Sequence, residues 1–130
     1  MKYLLTIYDD ESMWGNAQPG DVNAMMDGYR KFGEEVHGNG AFVAGEALES
    51  ISTATTVRVK DGERLVTDGP FAETKEQLGG FYLIECADLD AALGWARKVP
   101  TRPGNAVEVW PAMDFTQFGY EDPYLAAAKA

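Results

Sequence analysis

Asp68, Glu73 and Lys75 are the side chains whose types and spacing best suit acid–base work in this chain. They fall within the stretch Thr67-Asp68-Gly69-Pro70-Phe71-Ala72-Glu73-Thr74-Lys75-Glu76-Gln77-Leu78-Gly79-Gly80. A carboxylate set among apolar side chains has its pKa raised and can act as a general base. A neighbouring ammonium can hold an oxygen that turns anionic. On this reading Asp68, Glu73 and Lys75 are catalytic and line a pocket beside a sheet. Tyr8, Phe71 and Tyr82 are its ligand-binding side chains. The competing reading is structural. Asp68 accepts from nearby backbone N–H groups and fixes a turn, Pro70 stiffens it, and Phe71 plugs the core. Glu73, Lys75 and Glu76 are then a solvated face, and Gly79-Gly80 turns the chain into the next strand.

Other chemistries have little to work with. His37 is the single histidine and Cys86 the single cysteine, on different elements. No Cys/His ligand spacing exists, so no metal site and no cofactor is expected. His37 falls at a helix C-terminus, where its role is structural. Cys86 sits in an apolar strand pattern and reads as a small buried hydrophobe.

The 130 residues make one domain, with enough chain for a real core. Hydrophobic content is 45% and aromatic content 12%, a folded composition. Eleven Lys plus Arg stand against 21 Asp plus Glu, a net charge of −10. That field repels nucleic acid and anionic membranes. The lone cysteine suits a reducing cytosol. The N-terminus lacks a signal-peptide pattern, and no apolar run approaches the roughly 18 residues that span a bilayer. A cytoplasmic protein is expected.

The elements that must position these residues follow from periodicity. Tyr3–Tyr8 is a strand with no charge on either face. Asp9-Asp10-Glu11-Ser12 ends it with solvated charge, and Met13–Gly20 is a loop holding Trp14. Asp21 caps a helix running to His37, with Val22, Met25, Met26, Tyr29, Phe32 and Val36 on its apolar side. Gly28 and Gly33 let that helix approach its sheet. Ala41–Glu49 is a strand with Gly45 as a bulge or close-contact point. Ala54–Lys60 and Glu63–Thr67 form a hairpin about Asp61-Gly62, placed at a sheet edge by its polar face. Phe81–Cys86 is a strand, Asp88 caps a second helix that Pro100 stops, and Ala106–Trp110 is the last strand. Phe115, Phe118, Tyr120 and Tyr124 mark residues 113–130 as an aromatic tail, packed on the domain of residues 1–112 or on a partner.

The predicted fold is α+β: a ferredoxin-like βαβ–hairpin–βαβ plan, mainly antiparallel, with two helices on one face of the sheet. Two strands are apolar on both sides, so the second face needs a cover. The candidates are a second copy of the chain, the aromatic tail or an apolar ligand, and the leading expectation is a homodimer packed sheet to sheet.

The stretch DGPFAETKEQLGGFYLIE resembles the signature of the DGPF-domain proteins, within the YCII-related family. Met1-Lys2-Tyr3 through Tyr8, Gly45-Glu46, Leu48, Ala54-Thr55-Thr56-Val57 and Ala106-Val107-Glu108-Val109 extend the resemblance over residues 1–112. It implies the dimeric α+β barrel group. Some members carry a histidine early in the first helix, acting with an aspartate. Val22-Asn23-Ala24-Met25-Met26 departs from that pattern. Two functions follow as expectations. One is a small-molecule-binding homodimer with cofactor-free acid–base chemistry of isomerase or lyase type. The other is a non-catalytic regulatory module that binds a protein partner, since the resemblance implies association with an extracytoplasmic-function sigma factor.

Overall fold

The computed structural model describes residues 1–12 and 18–121. The order is β1 (Lys2–Asp9), α1 (Pro19–Gly38), β2 (Phe42–Ala47), β3 (Thr55–Lys60), β4 (Glu63–Asp68), β5 (Gln77–Glu85), α2 (Leu89–Lys98) and β6 (Ala106–Pro111). Four strands form one antiparallel sheet in the order β2-β5-β1-β6. This is the expected α+β, ferredoxin-like plan, and both helices lie on one face.

Strand alternation decides what that face is. Tyr3, Leu5 and Ile7 of β1 point to the helices and are buried. Ile84 and Tyr82 stand opposite Tyr3 and Leu5 in register and share their face. Phe32 and Val36 of α1, with Ala92 of α2 and Val99 just after it, close the core over them. Leu4, Phe81, Leu83 and Trp110 point the other way. Neither helix covers them, and Trp110 stays 54% exposed.

The helix ends follow their local chemistry. Asp88 caps α2 by accepting from the Ala91 N–H at 2.9 Å. The start of α1 differs from expectation. Gln18, not Asp21, is the cap, and Pro19 takes the first helical position, where its missing N–H costs nothing. Asp21 reaches back instead, accepting from the Gln18 N–H at 3.1 Å. Asn39 and Gly40, the latter at φ +72°, end the helix. His37, in the last turn of α1 as expected, also stacks on Phe42 at 4.0 Å between ring centroids. Gly28 packs against Pro100 rather than the sheet; an added Cβ would meet its Cγ at 3.1 Å.

The hairpin is a correction. β3 and β4 form a separate two-stranded sheet, not an edge of the main one. Asp61 (φ 52°) and Gly62 (φ 80°) make its two-residue turn. Its apolar face, Val57, Val59 and Val66, is open to solvent. Gly79 and Gly80 lie inside β5, so they shape a strand and not a hinge before it. Phe115, Phe118 and Tyr120 are exposed. Trp14 and Tyr124 lie outside the described residues. No helix among the described residues is long and apolar enough to cross a membrane.

Candidate functional site

A cleft of about 690 Å3 opens between the first half of α1 and the β2–β5 side of the sheet. Val22, Met25, Met26 and Tyr29 of α1 form one wall. They recur at helical spacing, which turns them to one side. The floor is strand backbone and the Tyr82 ring, with Gly45, Gly79 and Gly80 along it. Two of these glycines are required by space. A Cβ at Gly45 would lie 2.8 Å from Tyr82 Cδ1, and one at Gly80 would lie 2.9 Å from the Glu46 carbonyl oxygen. Gly45 thus lets Tyr82 lie against the backbone of β2. Phe32 and Phe42 both meet the ring edge-on, at 4.9 and 6.3 Å between centroids.

The polar groups collect at one end. Asp9, at the end of β1, lines the cleft and faces Arg102 at 3.8 Å. Glu11 is not the solvated charge expected of it. Its carboxylate accepts from Ser50 Oγ and from the Ile51 N–H, each at 2.9 Å. Its own N–H donates to Gln77 Oε1, also at 2.9 Å. One glutamate therefore ties the segment after β1 to the segment after β2 and to the start of β5. Burial pushes the Tyr29 hydroxyl up to about 12, with Tyr82 and Asp9 adding to the shift. The hydroxyl donates to the Pro100 carbonyl at 3.4 Å. Burial also raises the Tyr82 hydroxyl, which makes no hydrogen bond to a described residue. Both phenols stay protonated at neutral pH, so they are able to donate hydrogen bonds but not to act as bases.

The residues singled out from the sequence divide between this cleft and the surface. Tyr82 lines the cleft; Asp68, Phe71, Glu73 and Lys75 do not. Asp68 is exposed at the end of β4, opposite Thr55. The turn after it is held by other groups. Gly69, at φ +99°, donates to the Ala54 carbonyl at 2.7 Å, and Thr56 Oγ1 donates to the Gly69 carbonyl at 2.7 Å. Phe71 does not plug the core: it is 74% exposed, beneath the Arg58 guanidinium at 4.9 Å. Glu73 and Lys75 are exposed, and Lys75 helps to hold the Asp10 carboxyl down, after hydrogen bonds from Ser12. The far end of the same stretch, Gln77 with Gly79 and Gly80, does reach the cleft.

Tyr8 lies on the opposite face of the sheet from Tyr82. It stands beside Glu108, which also accepts from Thr6 Oγ1 at 3.1 Å and Trp110 Nε1 at 3.4 Å. The Tyr8 hydroxyl is the largest cause holding Glu108 below the usual carboxylate range. Cys86 is partly buried and its thiol is pushed up by burial, as suits an inert side chain. No cluster of metal-ligating side chains occurs among the described residues.

The fold and the cleft have a family context. A family model described as the YCII-related domain matches residues 1–116. The chain belongs to the YCII-related family. It is also 44% identical, over 105 residues, to an uncharacterized protein of Rhizobium meliloti (strain 1021). That match spans 76% of this chain and 80% of the relative. Family membership agrees with the resemblance carried by the DGPF stretch. It fixes no reaction, so the cleft has to speak for function.

Proposed function

We propose that this YCII-related protein is a small-molecule-binding homodimer whose ligand sits in the cleft between α1 and the sheet. The observation that carries this is the built floor. Gly45 and Gly80 let the Tyr82 ring and the Glu46 carbonyl pack against bare backbone beneath the cleft, and Tyr82, partly buried, lines it with a hydroxyl that bonds to no described residue. A volume of about 690 Å3 suits a small organic ligand. Met25 and Met26 give the wall adaptable, polarizable side chains.

Binding is better supported than acid–base catalysis. Asp9 already faces Arg102, and Glu11 is occupied by Ser50 and Ile51. Proton transfer by Asp68, Glu73 or Lys75 would need a ligand held outside this cleft. The homodimer reading rests on Leu4, Phe81, Leu83 and Trp110, which face away from both helices. A fragment screen followed by NMR tests the binding site. Ligands should shift the methyl resonances of Met25 and Met26 and the amide of Gly45. A screen whose only shifts fall elsewhere rejects the cleft.

A second reading is favoured by the hairpin. Val57, Val59 and Val66 form an exposed apolar strip of a kind that meets a protein partner. A regulatory partner docked there is compatible with a filled cleft. Loss of partner capture in Val57→Lys, with fragment binding retained, would separate the two roles.

A further inference from the structure

We infer that the cleft takes a non-anionic, ring-sized apolar compound, and prefers an amine to its neutral isostere, which in turn outcompetes a carboxylate or phosphate. This rests on the binding reading above and names the ligand class of that site.

The charge inventory carries the inference. The ionised side chains among the cleft-lining residues are carboxylates, with no lysine, arginine or histidine among them. Arg102 faces Asp9 at 3.8 Å, and Lys75, off the lining, lies near enough to Asp10 to help lower its carboxyl. Glu11, at the polar end, and the exposed Glu46 remain on the lining without an ion-pair partner among the described residues. The sequence adds that no basic residue occurs anywhere from Asp9 to Tyr29, so the β1–α1 connection brings none. The whole chain is at −10, which repels anions at longer range.

The remaining route to an anion would be a helix N-terminus. At α1 that route is closed. Pro19 has no N–H, and the Asp21 and Val22 N–H groups both donate to the Gln18 carbonyl, at 2.9 and 3.3 Å. The Asp21 carboxylate itself occupies this end. What the cleft offers instead is an apolar wall with an aromatic floor, the Tyr82 phenol, and the Glu11 carboxylate, whose two bonds from Ser50 and Ile51 leave it lone pairs to accept more. An ammonium can be paired at Glu11 while its ring rests on Tyr82 and Met25.

The test uses phenethylamine, phenethyl alcohol and phenylacetate, which share a ring and differ in charge. Each is titrated into the full chain while the Met25 and Met26 methyl resonances are followed. Affinity should fall in that order, with phenylacetate at least about tenfold weaker than the amine. Glu11→Gln should bring the amine and the alcohol to within about twofold of each other. An unchanged gap in that variant overturns the assignment to Glu11. Phenylacetate binding as tightly as the amine overturns the inference and leaves the binding reading standing. Failure of all three to move these methyls overturns both.

Discussion

Tyr82 lies so close to Gly45 that any side chain at position 45 would force one of them to move: an added Cβ would sit 2.8 Å from the ring. The two residues face each other across the β2–β5 ladder, and together they set the depth of the cleft. Gly45→Ala should therefore push the ring toward α1, where Phe32 already packs at 4.9 Å. Overpacking of this kind costs about 1–3 kcal/mol. Thermal melts should show the loss, and any fragment that shifts Met25 should bind about tenfold more weakly, since its floor has moved.

Gly33→Ala is the contrasting case. An added Cβ there meets nothing within 4 Å, and the residue sits inside α1. Alanine in a helix interior is favoured over glycine by about 1 kcal/mol. This variant should melt at a higher temperature than the parent and bind fragments unchanged. A lower melting temperature would mean that α1 needs its glycine for a reason other than space.

Tyr82→Phe separates packing from hydrogen bonding. The ring contacts with Phe32 and Phe42 persist, and only a hydroxyl without a partner among the described residues is lost. Stability should stay within about 0.5 kcal/mol of the parent, because no internal hydrogen bond is broken. Affinity for a ligand with an acceptor should drop about fivefold to tenfold, the worth of one neutral hydrogen bond. Calorimetric titration of the parent and the variant reads this directly. Equal affinities would place the ligand away from the hydroxyl.

Alkaline stability should depend on Tyr29. Its hydroxyl is raised from 10.0 to about 12, chiefly by burial. The unfolded chain releases this proton first, so the folded state holds more protons between those two values. Stability is complete below about pH 10 and falls as pH rises toward 12. Tyr29→Phe should flatten that part of the curve, at the cost of the bond to Pro100. Chemical denaturation at stepped pH tests it; parallel curves for both proteins would assign the alkaline loss to other groups.

The sheet was readable from the sequence because its strands alternate and its turns carry their own residues. Asp61-Gly62 shows this, and so does the Asp88 cap. The cleft was half readable. Met25, Tyr29 and Gly45 stood out by helical spacing and by a glycine within a strand. Asp9 and Glu11 did not, since a run of acids after a strand has the same composition whether it is solvated or tied to Ser50 and Ile51 from 40 residues away. The DGPF stretch misled in the other direction. Its turn chemistry is local and legible, yet the turn rests on Thr56 and Ala54, contacts that only pairing across the hairpin creates. The start of α1 moved for a similar reason: Asp21 suits a cap in isolation, but Pro19 is better placed at the first helical position.

Leu4, Phe81 and Leu83 alternate with the buried side chains of β1 and β5, and Trp110 extends the apolar surface along β6. Glu108 stands among them with its carboxylate held by Thr6 and Trp110 and lowered by Tyr8, so its charge needs no partner from a second chain. Glu46, on the edge strand, and Glu85, at the end of β5, lie at the margins of this face. Its apolar centre, with the Glu108 carboxylate already held, is suited to meet a copy of itself by a two-fold axis, where each patch faces its twin. Leu83→Lys would then place like charges on both sides of the axis. Sedimentation equilibrium at micromolar concentration should give a dimer for the parent and a monomer for this variant. Val57→Lys on the separate hairpin should leave the dimer intact. A parent that sediments as a monomer would remove the homodimer from the proposal while leaving the cleft and its ligand class to stand on their own tests.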